Sequence, residues 1–457
     1  MVYIFVGLNG GFFMKGILVK IFAAVLSVIM LCCTTACGDN KGTEQNVGGG
    51  GNSSGGSGWA DILKNMPEDL KGTSITVYSW NDVTDVTNAQ TVIDNFTKDT
   101  GITVNWVKGT YANYATEIAS KVAAKEGPDV VRLMDLNLGL LSVLQPMDDI
   151  KGFNIDDSAW DSNVKNYYSV NGKTYGINMA NTLIQQPKIL WYNRNLISKY
   201  DLEDPYALWK KNEWTYDKFI QVCEDFLDEA SSEYLPWSTY RWSDVADMMG
   251  AGTVLYKDGK FVSNVDDPNL LKGWQMFANL SDKGIVNDLI YERDRFGSGK
   301  ILFFSDSTIS GRRTHYYWPD LKSTGSLGCV PMPSIEGIDY VQEFTEYEAY
   351  GVPKTAKNPE AAYYFLRYYL DGQNYDEESF FCDATILDVY KWCMEQKNTF
   401  INCDAVVLTE EVGLTAAVFK ANMKGQKESQ VNTKLNSYKS VIEAAVSGAN
   451  GTLEKIK

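Results

Sequence analysis

The sequence predicts an α/β protein of two or three domains, built on parallel sheets with helices on their faces. Three observations carry that expectation. The chain has 457 residues, too many for one ordinary core. Between residues 75 and 133 the hydrophobic pattern switches period in the order strand, helix, strand, helix, strand, the signature of a parallel sheet. A mixed pattern of the same kind then recurs from Tyr175 to about Leu327.

Taken in order, residues 75–80 (ITVYSW) are rich in β-branched and aromatic side chains and read as a buried strand. Residues 91–99 place Val92, Ile93 and Phe96 at helical spacing, and Gly101 follows as a stop. Residues 102–107 form the second strand. Residues 114–124 form a helix with Ile118 and Val122 on one face, and Pro128 breaks the chain before a third strand at 129–133. Further on come a strand at 189–192, a helix at 216–227 behind a Thr215 cap, an aromatic helix at 363–370 and a long amphipathic helix at 431–446. No internal repeat is visible.

Composition narrows the function. Hydrophobic residues at 44% and charged residues at 22% are ordinary for a globular protein. The net charge is −16, and no basic stripe interrupts it, which argues against nucleic acid as a partner. With one histidine, His315, and no CxxC pair, a Cys/His zinc site has no basis, and His315 reads as structural. Residues 297–300 (GSGK) fail as a phosphate loop, because Asp294 stands where a glycine is required and Ile301 follows the lysine. Neither a GxGxxG turn nor a GxSxG elbow occurs, so the expectation is no cofactor and no catalytic nucleophile. The 12 tryptophans and 27 tyrosines suit a protein that stacks on sugar faces, although each of them singly reads equally as packing.

The N-terminal region reads as a targeting segment. Met14, Lys15 and Lys20 open it, with Met14 taken as the start. An apolar run at 21–33 follows, and then Thr34, Thr35 and Ala36 stand before Cys37. This resembles a bacterial lipoprotein signal, with Cys37 the lipidated, palmitate-bearing residue. Thr34 stands where that pattern has leucine, which leaves cleavage by an ordinary signal peptidase as the alternative. Residues 38–72, Gly/Asn/Ser-rich as far as Gly58, are expected to tether the folded part. Cys223, Cys329, Cys382, Cys393 and Cys403 make an odd number with no dense framework, and a single bridge among the last three is conceivable.

In open sheets of this type, ligands bind beyond the carboxyl ends of the strands. Trp80, Asn81 and Asp82 end the first strand, and Asp135 and Asn137 follow the third. Short acceptors beside an aromatic ring match what a sugar offers, namely hydroxyls and a C–H face. The alternatives are core packing for Trp80, helix capping for Asp82, and local Asx turns for Asp135 and Asn137.

Four stretches then carry a resemblance. They are residues 96–104 (FTKDTGITV); 127–131 (GPDVV); 171–176 (NGKTYG) with 190–196 (LWYNRNL) and 213–219 (EWTYDKF); and 350–362 (YGVPKTAKNPEAA). In this order the chain resembles the family 1 extracellular solute-binding proteins, the class of the maltose-binding proteins. The resemblance implies a two-lobed periplasmic-binding-protein-like fold of type II, each lobe a sheet flanked by helices, with the ligand between them. Lobe 1 would be residues 73–173 plus about 351–393, lobe 2 residues 174–342, and residues 394–457 C-terminal helices packing across both. It further implies a monomeric, non-enzymatic, lipid-anchored component of an ABC importer on the outer face of the bacterial cell membrane. That component would deliver a small polar solute, a sugar or oligosaccharide, to permease subunits.

On the same basis Asn181 and Trp318 join the candidate contacts; Trp237 and Trp242 join them because paired surface tryptophans are uncommon, and Glu346 and Tyr347 with them. Trp237 and Trp242 flank Tyr240 and Arg241 in a loop of the second lobe, and Trp318 would replace a tryptophan missing after residues 296–300. Glu346 reads equally as one charge of a solvated acidic stretch. A secreted glycoside hydrolase using two of the 58 acidic residues, or a surface carbohydrate sensor subunit, remains the alternative.

Overall fold

The strands follow from the patterns above. In chain order they are β1 (Ser74–Ser79), β2 (Thr103–Lys108), β3 (Val130–Leu133), β4 (Leu144–Gln145), β5 (Ser169–Val170), β6 (Lys173–Thr174), β7 (Lys188–Asn193) and β8 (Leu235–Thr239). After them come β9 (Val254–Lys257), β10 (Lys260–Ser263), β11 (Ile301–Ser307), β12 (Leu327–Pro331), β13 (Gln342–Phe344), β14 (Ala349–Pro353) and β15 (Thr399–Ile401). The computed structural model describes residues 59–85, 88–134, 136–180, 183, 185–239, 244–286, 292–372, 377–404, 406–408 and 426–456. The chain divides after Gly51 into two units, and the described residues all belong to the second, Asn52–Lys457.

Two sheets organise this unit. The first has the order β2-β1-β3-β14-β4, with β1, β2 and β3 parallel and β14 antiparallel to both of its neighbours. The second has the order β12-β7-β11-β8, with β7 antiparallel to β11 and β12 and β8 parallel to β11. Strand β7 is buried along its whole length, so its apolar run Ile-Leu-Trp-Tyr lacks the alternation of a half-exposed strand. The helix Ala89–Thr100 ends where expected: Gly101 adopts φ +74°, which a side chain would disfavour, and its N–H closes on the Thr97 carbonyl. Thr215 caps the helix Tyr216–Glu229 by accepting from the Lys218 N–H.

The lobes are joined where their sheets present carboxyl ends. Ile177 pairs with Tyr350 and Pro187 with Phe344, so the outgoing and returning segments run antiparallel at these two pairs. The return lands at Ala349, opposite Leu133 at the end of β3, and the outgoing segment lands at Lys188, opposite Ser307 at the end of β11. The crossing strands therefore connect one carboxyl edge to the other. Lys188 is buried at this junction, bonded to Asp244 and, at 2.7 Å, to Glu343, with Asp247 at 3.8 Å. The hydroxyls of Thr239 and Ser305 complete the shell of Asp244, so the buried charges are paired and hydrogen-bonded.

Three boundaries differ from expectation. The tether does not extend to residue 72: a helix Trp59–Lys64 and a turn Glu68–Leu70 place Ile62, Leu63, Met66 and Leu70 against the outer core of lobe 1. The returning segment belongs to lobe 1 only through the helix Pro359–Gly372. The next long helix, Ala384–Met394, buries Ile386, Val389, Tyr390 and Cys393 against Trp191, Phe304 and Cys329 of lobe 2. Apolar spacing marks a helix in the sequence but not which sheet it covers. The last helix runs over Glu428–Leu453, longer than its apolar face suggested. It lies along β10, and the Leu453 and Ile456 carbonyls receive the Asn171 amide of lobe 1. All five cysteines from Cys223 onward are free thiols. Cys37 and the signal segment lie outside the described residues.

Candidate ligand-binding cleft

At the carboxyl edge of lobe 1 the Tyr114 hydroxyl continues the sheet beyond its ladder. It donates to the Tyr78 carbonyl of β1 at 2.5 Å and accepts the Arg132 N–H of β3 at 3.1 Å. Burial pushes its phenol well above the usual range, so it stays protonated and available as a donor. Trp80 follows β1 directly. It is half-buried, edge-on to Tyr114 (5.0 Å) and Tyr111 (6.1 Å), and the Arg132 guanidinium lies 4.6 Å from its centre. Tyr111, 64% exposed, extends this aromatic surface outward.

Asn81 is fixed through its backbone: its carbonyl accepts the Trp106 indole N–H at 3.0 Å and its N–H donates to the Ser79 hydroxyl at 3.2 Å. Asp82 accepts from the Thr84 N–H and hydroxyl, and these bonds, the backbone one first, hold its carboxyl below the ordinary value. Asn137 caps the short helix Leu138–Leu141 through the Leu140 N–H at 2.7 Å. Asp82 and Asn137 thus both bond nearby backbone N–H groups, Asp82 in a local turn and Asn137 as a helix cap, while standing at the strand ends expected of contacts.

On lobe 2 the corresponding edge follows β11. Asp306 is buried, and desolvation raises its carboxyl to about 6 against the opposing pull of Arg293 at 3.4 Å. The Arg293 guanidinium lies 3.7 Å from the Tyr317 ring centre and bonds the Tyr317 hydroxyl. Beyond it, Tyr316 is 74% exposed, stacks on His315 at 4.6 Å and donates to the Tyr317 hydroxyl at 2.9 Å. His315 is half-buried; burial first, and then Lys322, Arg312 and Arg293, depress its imidazole to about 3.

The remaining candidates divide. Trp237 is fully buried in lobe 2, between Phe219 (5.4 Å) and Phe277 (6.1 Å), so it packs the core rather than lining the cleft. Trp318 is likewise buried against Phe296, Phe304 and Trp191, with its indole N–H on the Arg293 carbonyl. Glu346 is half-buried on the returning segment. Tyr347 lines a cavity of about 850 Å³, walled by Tyr167 and Ser169 of lobe 1, Tyr256 of lobe 2, and Phe400. That cavity lies beside the β9–β10 hairpin, and its Tyr167 hydroxyl accepts the Leu136 N–H, just past the end of β3, at 3.4 Å. Asp135, Asn181 and Trp242 lie outside the described residues.

Sequence reasoning missed Arg132, Tyr111, Arg293, Asp306 and Tyr316. An arginine inside the apolar run Val-Val-Arg-Leu was the one available signal, since a buried charge demands a partner. Among the described residues no group of three or more His, Cys, Asp or Glu side chains is arranged to hold a metal, and no helix is long and apolar enough to cross a membrane.

Comparison with known proteins sets this geometry in context. No curated protein matches the chain by sequence. Solved structures share its fold. The GacH receptor of Streptomyces glaucescens, determined unliganded and with acarbose, has a TM-score of 0.61 at 15% identity, over 81% of this chain and 98% of that one. The extracellular solute-binding protein of Staphylococcus aureus, in complex with maltose, has a TM-score of 0.61 at 14% identity, over 84% and 99%. An ABC substrate-binding protein of Listeria monocytogenes, in complex with cycloalternan, has a TM-score of 0.53 at 15% identity, over 84% and 99%. The bacterial extracellular solute-binding family itself matches residues 91–379. With more than half its length matched in this way, the chain belongs to the bacterial extracellular solute-binding proteins.

Proposed function

We propose that this chain captures a neutral sugar or oligosaccharide outside the cell and hands it, chemically unaltered, to the permease subunits of an ABC importer. The observation that carries the reading is the pair of aromatic surfaces at opposite carboxyl edges: Trp80 and Tyr111 on lobe 1, Tyr316 on lobe 2. Trp80 stands beside the Arg132 guanidinium, and Tyr316 beside the Tyr317 hydroxyl and the His315 ring, an aromatic-and-polar combination of the kind a sugar ring needs. The three relatives named above were solved with acarbose, maltose and cycloalternan, all saccharides, which supports the same class. Closure of the lobes about the crossing strands would bring both surfaces onto one solute. Cys37 would carry the lipid anchor, and residues 38–58 the reach away from the membrane.

A thermal-shift screen over mono- and oligosaccharides, maltose and maltotetraose included, tests this directly, since a ligand bound only by the folded state raises the melting temperature. A stabilising saccharide confirmed by calorimetry supports the reading. Release of chromophore from nitrophenyl glycosides would replace it with glycosidase activity. Cys37→Ser should free the protein from the membrane fraction, and continued anchoring would exclude lipidation at that residue.

A further inference from the structure

The lobe 1 wall contains a charged relay that solute stacking alone does not require. Arg132 lies in β3, a strand buried at every position. Its Nη2 donates to Glu348 at 2.5 Å, and its guanidinium lies 4.6 Å from the centre of the Trp80 ring. Its Nε and Nη1 are buried with no hydrogen-bond partner. Buried guanidinium donors are ordinarily satisfied, and an aromatic face is the one neighbour that offers them negative potential without an acceptor atom. Trp80 therefore completes the Arg132 site.

Glu348 in turn is held by the opposite crossing segment. Its carboxylate accepts the Gln186 amide at 3.0 Å, and its carbonyl accepts the amides of Asn178 at 2.8 Å and Gln185 at 3.4 Å. Asn178, Gln185 and Gln186 lie on the segment leaving lobe 1, Glu348 on the segment returning to it, and all four are buried. These bonds join the two segments that connect the lobes.

We propose that Arg132 is a positioning residue that couples the ring of Trp80 to the hinge through Glu348 and Gln186. A shift of the crossing strands is felt at the stacking surface, and by reciprocity a solute seated on Trp80 biases the hinge. The inference rests on reading Trp80 as a solute contact.

The test replaces the tryptophans with 5-fluorotryptophan and follows the Trp80 fluorine line, assigned by its loss in Trp80→Phe, without any ligand. Arg132→Met combined with Glu348→Gln removes both charges together, so neither is stranded in the interior. This pair should shift and broaden the Trp80 line. Gln186→Leu, which alters a partner of Glu348, should move the same line while the other tryptophan lines stay in place. A Trp80 line unmoved by Gln186→Leu overturns the coupling. In a maltotetraose titration the paired variant should weaken binding roughly tenfold in the wild-type background and not at all on top of Trp80→Ala. Losses that simply add would also overturn it. If no saccharide binds the wild type, the sugar reading fails by itself and the fluorine lines still decide the relay.

Discussion

The carboxylate of Asp129 accepts the backbone N–H of Lys357 at 2.7 Å across 228 residues of sequence. The same oxygen takes the Asn358 N–H at 3.0 Å, and its twin takes the Thr76 N–H at 2.9 Å. One side chain thus ties β1 to the loop before the helix Pro359–Gly372 and joins two of the four stretches that marked the family. Charge-assisted bonds of this kind are roughly twice as strong as neutral ones. Asp129→Ala should cost about 3 kcal/mol in urea unfolding, and Asp129→Asn clearly less. A loss below about 1 kcal/mol for the alanine variant would show that the loop is held by other contacts.

Trp237 should behave as a core residue. Trp237→Ala leaves a void between Phe219 and Phe277 and should destabilise lobe 2 by about 3–5 kcal/mol. Solute affinity of the folded fraction should be unchanged. Lost affinity with intact stability would return this residue to the cleft.

Trp80 and Tyr316 should do the reverse. Each alanine variant should weaken saccharide binding, by about 1–3 kcal/mol for Trp80, while Tyr316→Ala leaves the melting temperature nearly untouched because its ring is 74% exposed. Isothermal titration of both variants decides whether the two lobes share the solute.

Asp306 gives stability a pH dependence of definite sign. Its folded carboxyl holds a proton up to about 6, whereas the unfolded one releases it near 3.8. The contribution to folding is therefore complete below 3.8 and lost as pH rises through about 6, worth about 3 kcal/mol. Relative to Asp306→Asn, the wild type should lose ground between pH 4 and pH 7 in urea titrations. Parallel curves would mean that Arg293 keeps the carboxylate charged throughout.

His315, the one histidine in the sequence, has a ring resonance that needs no assignment. Its imidazole sits at about 3 rather than 6.5, so the folded protein should show no inflection for it from pH 8 down to about 4. Because the unfolded chain takes up that proton first, stability falls as pH drops below about 6.5. A midpoint near 6.5 would place the ring in solvent, away from Lys322 and Arg312.

The strands and helices of lobe 1 were legible because each signal was local. Period, a stop at Gly101 and a break at Pro128 set β1 to β3 within a residue or two. The site was legible only in part. Strand ends can be counted along a chain, so Trp80 stands where expected. Which face of a strand a tryptophan occupies depends on what packs there, and Trp237 and Trp318 turned inward onto phenylalanines distant in sequence. Arg132 was hidden for the complementary reason: its partners, Glu348 and Trp80, are separated from it by 216 residues and by one strand of the sheet.

Strand β14 has a consequence for how the protein is made. It is wedged between β3 and β4, whose residues were synthesised some two hundred positions earlier. Lobe 1 therefore cannot complete its sheet until the whole of lobe 2 has emerged, and a chain truncated before Ala349 leaves β3 and β4 without the strand that joins them. Such long-range closure is slow, because the loop must be brought together before its contacts stabilise it. For a member of the extracellular solute-binding family, that delay favours passage across the membrane as an unfolded thread, with assembly of the first lobe deferred to the far side.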